Sequence, residues 1–125
     1  MINSRSLDTL QPAFRVLVDR WLQACSDIGL DILVISTFRD SEYQDWLYAS
    51  GRKRDGKIVT MAKGGESAHN KRIALDFCIM DGKRCDWANI ADFTRAGLLA
   101  EVLGLVWAGR WNGKVKEVGH IEAHK

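Results

Sequence analysis

The sequence predicts an α+β fold built on a small, mostly antiparallel sheet with flanking helices. Three observations predict it. Apolar residues recur at spacings of three and four over Leu10 to Cys25 and again over Ile90 to Leu103, the mark of amphipathic helices. Two short runs, DILVISTF over 31–38 and IALDFCIM over 73–80, are apolar and rich in β-branched residues, and they stand apart from the helical stretches. The pair Asp81-Gly82 directly after the second run signals a hairpin turn, hence antiparallel pairing.

The elements follow in order. Leu10, Phe14, Leu17, Val18, Trp21, Leu22 and Cys25 share one face of a first helix that ends near Gly29, with Pro12 in the first turn, where its missing N–H costs little. The strand over 31–38 comes next. Ser41 followed by Gln44 fits a capping box, and Trp46, Leu47 and Ala49 continue a short helix that stops at Gly51. Residues 51–66 carry four glycines and the cluster Arg52, Lys53, Arg54 and Lys57, which predicts a long basic loop of the kind that forms lids or binding segments. In the second strand, Ile73, Leu75, Phe77 and Ile79 fall on one face and Ala74, Asp76, Cys78 and Met80 on the other. A third helix over 88–103 turns Ile90, Phe93, Ala96, Leu99 and Leu103 inward and stops at Gly104. Short strands at 105–107 and near 117–122 close the chain.

With 125 residues, the chain is predicted to be a single domain over 1–125. A formal charge of +2 is too small for a dedicated nucleic-acid binder, so no nucleic-acid partner is expected. Neither a signal peptide nor a membrane span is legible, so the expectation is a cytoplasmic protein in the producing cell, without stable membrane insertion. Cys25, Cys78 and Cys85 lack C-x-x-C spacing and are read as reduced packing residues.

The chemistry lies elsewhere. Asp76 sits in the middle of an apolar strand, where an ionised carboxylate needs a cation or a metal to offset its desolvation. His69, seven residues earlier in a polar loop, and His120, beside Gly119, complete a candidate set of two imidazoles and one carboxylate. Such a set leaves a fourth position open, as catalytic zinc sites do. Each residue singly also fits a plain structural role. His124, next to the end, reads as a tail residue and Trp107 as core.

The pattern S-A-H-N-K-R-I-A-L-D over 67–76, taken with E-V-G-H over 117–120, resembles the S-x-H-x6-D and D/E-x-x-H signatures of D-Ala-D-Ala-type zinc peptidases. That family shares its fold with the hedgehog signalling domain and includes D,D-carboxypeptidases, D,D-dipeptidases and the L-alanyl-D-glutamate endopeptidases of phage endolysins. The stretch from Ser36 to Arg52 resembles the family segment around an Arg and a Gln, here Arg39 and Gln44, and G-L-V-W-A-G-R-W over 104–111 resembles its approach to the last ligand. The resemblance implies a hedgehog/D,D-peptidase-like fold, Zn2+ held by His69, Asp76 and His120, and Glu117 as catalytic base. Arg39, at the end of the first strand, is the expected catalytic group that stabilises an oxyanion or holds a substrate carboxylate, although a surface salt bridge suits Arg39 equally. Ser67, Gln44, Arg72 and Trp111 are the expected substrate-binding residues.

Two departures bear on substrate. Arg72 stands where the family has glycine, and Glu117 stands where the phage endopeptidases mostly have Asp. The expected function is a monomeric, endolysin-like zinc peptidase that cuts the peptidoglycan stem peptide between L-Ala and D-Glu and acts on the wall after release. A D,D-carboxypeptidase or dipeptidase is the alternative within the class, and a non-catalytic zinc-containing binding module is the alternative outside it.

Overall fold

In a computed structural model, which describes residues 1–112 and 117–124, three helices pack on one antiparallel sheet. Helix α1 (Pro12–Asp27) starts with proline in its first turn and is capped by the Gln11 side chain, which accepts a hydrogen bond from the Phe14 amide at 2.9 Å. Its inward stripe, Phe14, Val18, Trp21 and Cys25, is the face that the spacing predicts. Strand β1 (Ile32–Ser36) leads into helix α2 (Ser41–Ala49). After a long loop come β2 (Ala74–Asp81), β3 (Arg84–Cys85), helix α3 (Ile90–Val102), β4 (Val106–Trp107) and β5 (His120–Glu122).

The strand order is β1-β2-β5-β4, with β3 hairpinned onto β2, and every pairing is antiparallel. Parity within β2 divides its faces as the sequence predicts. Leu75, Phe77 and Ile79 join Trp21, Phe93, Trp107 and Ile121 in the core, each such side chain contributing about 1.5–3 kcal/mol on burial. The Trp21 ring meets Phe77 edge-on at 4.9 Å, and its indole N–H donates to the Ala96 carbonyl at 2.9 Å. Asp76 faces the other way. Its register partner on β5 is His120, and the β1–β2 pairing shifts so that Ser36 also lies opposite Asp76.

Three expectations are corrected. Cys78 and Cys85 are joined in a disulfide, not reduced, because the β2–β3 hairpin brings their Cα atoms to 5.8 Å; Cys25 is free, buried on the inward face of α1, and burial pushes its thiol up to about 11. The cap of α2 is Asp40, not Ser41: the Asp40 carboxylate accepts from the Tyr43 amide at 2.8 Å and moves the helix start one residue back. Ile90 is 52% exposed, because it is the first residue of α3 and precedes the buried stripe Phe93, Ala96, Gly97 and Ala100. The basic loop borders the site cleft with Thr60, Met61, Ala62 and Glu66, and its arginines lie against α2. Arg52 stacks on Tyr48 and donates to the carbonyls of Tyr48 and Thr60, while Arg54 stacks on Trp46 and donates to its carbonyl.

Candidate metal and catalytic site

The site is assembled from three places in the chain. His69 comes from the loop before β2, Asp76 from the middle of β2 and His120 from the first position of β5. The loop is shaped by small polar groups. Ser67 Oγ accepts the His69 amide at 3.2 Å, and Asn70 ties the segment together by accepting from the Gly65 and Ser67 amides while donating to the Arg39 carbonyl. A turn at Val118-Gly119 precedes β5, and there the Phe77 amide donates to the Gly119 carbonyl at 2.7 Å. A β-carbon at 119 would collide with the Phe77 carbonyl, so glycine is required for the turn to lie this close to β2.

One ligand-type atom from each of His69, Asp76 and His120 lies within 4.8 Å of the others. Asp76 Oδ1 is the meeting point, 3.1 Å from His69 Nε2 and 2.8 Å from His120 Nδ1. The second carboxylate oxygen, Oδ2, takes a hydrogen bond from Arg39 Nη2 at 2.5 Å. The far nitrogens of both rings are anchored too. His69 Nδ1 meets the Thr37 carbonyl at 2.7 Å, and His120 Nε2 meets Glu122 Oε1 at 2.9 Å. Two imidazoles and a carboxylate, each with its outward atom held, form the donor set of a three-ligand catalytic zinc site, so the residues present fit that ion.

Charge follows from this crowding. Burial would push the Asp76 carboxyl up, yet the two histidines outweigh it and hold the group well below the ordinary carboxylate range. Burial likewise works against a charged His120, but hydrogen bonds to Asp76 and Glu122 carry its imidazole up to about 10. Glu117 stands at the entrance to β5 with Oε2 3.5 Å from His120 Nδ1. Its carboxyl is raised, chiefly by burial, with His120 opposing and Asp76 adding to the rise.

His69, His120 and Glu117 line a cleft of about 600 Å³, with Asp76 behind the two rings. Ser67, Arg39, Glu117 and Trp111 border it, with the Trp111 ring 5.4 Å from that of His120. Two expected substrate contacts are elsewhere. Gln44 is completely buried; its amide donates to Thr60 Oγ1 and the Ala62 carbonyl and its oxygen accepts from Arg39, so it braces the cleft wall from behind and is not part of the cleft lining. Arg72 turns away from the cleft, stacking on Phe38 and donating to the Thr9 carbonyl. Its φ of 64° is the left-handed conformation, which explains why a glycine suits this position. His124 is exposed at the chain end, and Trp107 is buried.

The sequence reading missed Glu122 and the Thr37 carbonyl, whereas the cleft wall of Thr60, Met61 and Ala62 falls in the loop it marked as a lid or binding segment. Only Glu122 had a legible signal, since a residue two past His120 on a strand shares its face.

A family model described as VanY, D-alanyl-D-alanine carboxypeptidase, matches residues 8–114. Among curated proteins, the chain is 32% identical over 128 residues to the peptidoglycan L-alanyl-D-glutamate endopeptidase CwlK of Bacillus subtilis, spanning 90% of this chain and 72% of that one. Two solved structures share the fold. The L-Ala D-Glu endopeptidase ChiX of Serratia marcescens superposes with a TM-score of 0.70 at 16% identity, over 98% of this chain and 89% of its own. A D,D-pentapeptidase VanY variant from a VanB-type resistance cassette, solved with Zn(II), gives 0.67 at 15% identity, over 91% and 72%.

Proposed function

The chain belongs to the VanY D-alanyl-D-alanine carboxypeptidase family, and from that premise we propose that it is a zinc-dependent peptidoglycan peptidase that hydrolyses the stem peptide between L-Ala and D-Glu. The observation that carries the reading is the convergence of His69, Asp76 and His120, with both histidines and Glu117 lining one cleft. The choice of bond is supported by the identity to CwlK, which spans most of both chains.

His69 through Nε2, Asp76 through Oδ1 and His120 through Nδ1 are the atoms placed to hold the ion. Zinc in such a set supplies a Lewis acid and lowers the pKa of water to about 7. Glu117 then works as base and acid. Its carboxylate takes a proton as water attacks the peptide carbonyl and returns it to the leaving amine, and burial brings its pKa closer to the working pH. Arg39 borders the cleft while bonded to Asp76, and in this proposal its guanidinium faces the negative charge that develops on the carbonyl oxygen. Ser67 and Trp111 border the same cleft and are the substrate contacts. The proposal includes action as a monomer with one catalytic domain, since every residue given a role here comes from one chain.

The proposal extends to an endolysin-like, bacteriolytic role on the wall after release from the producing cell; among the described residues no helix is long and apolar enough to cross a membrane. A D,D-carboxypeptidase activity is the second reading, favoured by Glu117 in place of aspartate. The test is digestion of purified peptidoglycan. Soluble fragments should appear with the zinc-loaded protein, vanish after chelation and return with zinc, whereas unchanged digestion by metal-stripped protein would refute the zinc reading.

A further inference from the structure

The two histidines of the site present different nitrogens to it, Nε2 from His69 and Nδ1 from His120, so each needs its other nitrogen protonated and occupied. For His69 the occupant is a neutral backbone carbonyl, that of Thr37. For His120 it is a carboxylate. Glu122 lies two residues along β5, on the same face as His120, and its side chain is 9% exposed with Oε1 2.9 Å from His120 Nε2. Asp76 Oδ1 sits 2.8 Å from the other nitrogen, Nδ1, on the ligand side of the ring. A proton resting on Nδ1 would occupy the lone pair that a metal needs.

We propose that Glu122 is a positioning residue for the metal centre: by accepting the Nε2 proton of His120, its carboxylate fixes the ring and the tautomer in which Nδ1 is left free to bind the ion. The inference rests on the zinc reading above and adds to it a residue outside the ligand set. A buried carboxylate behind a ligating imidazole also raises the basicity of the ligand, and loss of such partners weakens metal binding about 10- to 100-fold.

Zinc affinity, measured by competition with a chelator of known strength, reads the proposal directly. Glu122→Ala should bind zinc about 10- to 100-fold more weakly than the native chain. Glu122→Gln keeps an acceptor oxygen without the charge and should fall between the two. Glu66→Ala, which removes another carboxylate bordering the cleft, should leave the affinity unchanged. In the zinc-loaded native protein the His120 Nε2 proton should be visible by NMR and slow to exchange, and Glu122→Ala should lose that protection. Affinities within twofold of native in the folded Glu122 variants, an equal loss in Glu66→Ala, or an unchanged exchange rate at His120 would each overturn the proposal. Should Glu122→Ala not fold, Glu122→Gln carries the test, and native affinity there overturns it. A native chain that binds no zinc overturns this inference together with the zinc reading; one that binds zinc and digests peptidoglycan while the Glu122 variants bind normally overturns this inference alone.

Discussion

Asp76 shows how much a single residue organises. One carboxylate oxygen receives both histidines and the other receives Arg39, so the group ties together β2, β5, the His69 loop and the segment before α2. Replacing His69, Asp76 or His120 by alanine should therefore abolish zinc binding and hydrolysis together, measured as metal stoichiometry and fragment release. Glu117→Ala should separate the two. It removes a proton-transfer group and no ligand, so zinc content should stay at the native level while turnover falls by about 100-fold or more. Arg72 provides the opposite control. Its side chain points away from the cleft and its backbone is already in a glycine conformation, so Arg72→Gly should retain native turnover.

At the scale of elements, the parts legible in the sequence were those with strong local patterns. The stripe of α1 and the parity of β2 follow from periodicity, and the structure keeps them. What local pattern does not carry is long-range partnership. The burial of Gln44 depends on a loop wall sixteen and eighteen residues away in sequence, and the Cys78–Cys85 disulfide depends on the hairpin register. Gln44→Ala should consequently act at a distance. It leaves the Ala62 carbonyl and Thr60 without their shared donor, a loss of about 1–3 kcal/mol in stability, read as a lower denaturant midpoint with zinc affinity retained. Helix α3 has a comparable weak point where the Trp107 ring lies directly on Gly97, with no room for a β-carbon. Gly97→Ala should cost about 1–3 kcal/mol by overpacking, again in denaturant.

Across the whole molecule, the site couples stability to pH. His120 is raised from 6.5 to about 10 in the folded chain, so its contribution is complete below pH 6.5 and is lost as pH rises through 10. Asp76 is lowered from 3.8, so its contribution is present above that value and is lost as pH falls. Metal-free protein should thus be most stable between about pH 4 and 6.5 and weaken toward pH 10, as read by denaturant midpoints. Zinc requires neutral imidazoles, so binding at neutral pH should release about one proton or more, and the stabilisation that zinc adds should grow with pH from 5 to 8. The same competition gives hydrolysis an acid limb.

The most direct measurement of the central claim is mass spectrometry of peptidoglycan fragments after digestion by the zinc-loaded protein. The account predicts stem peptides cut internally, with new C-terminal L-alanine and new N-terminal D-glutamate, and none after chelation. Release of free D-alanine or its dipeptide from stem ends, with no new D-glutamate amine, would contradict the L-Ala–D-Glu assignment and leave a zinc carboxypeptidase; no cleavage at all by zinc-loaded protein would contradict the account as a whole.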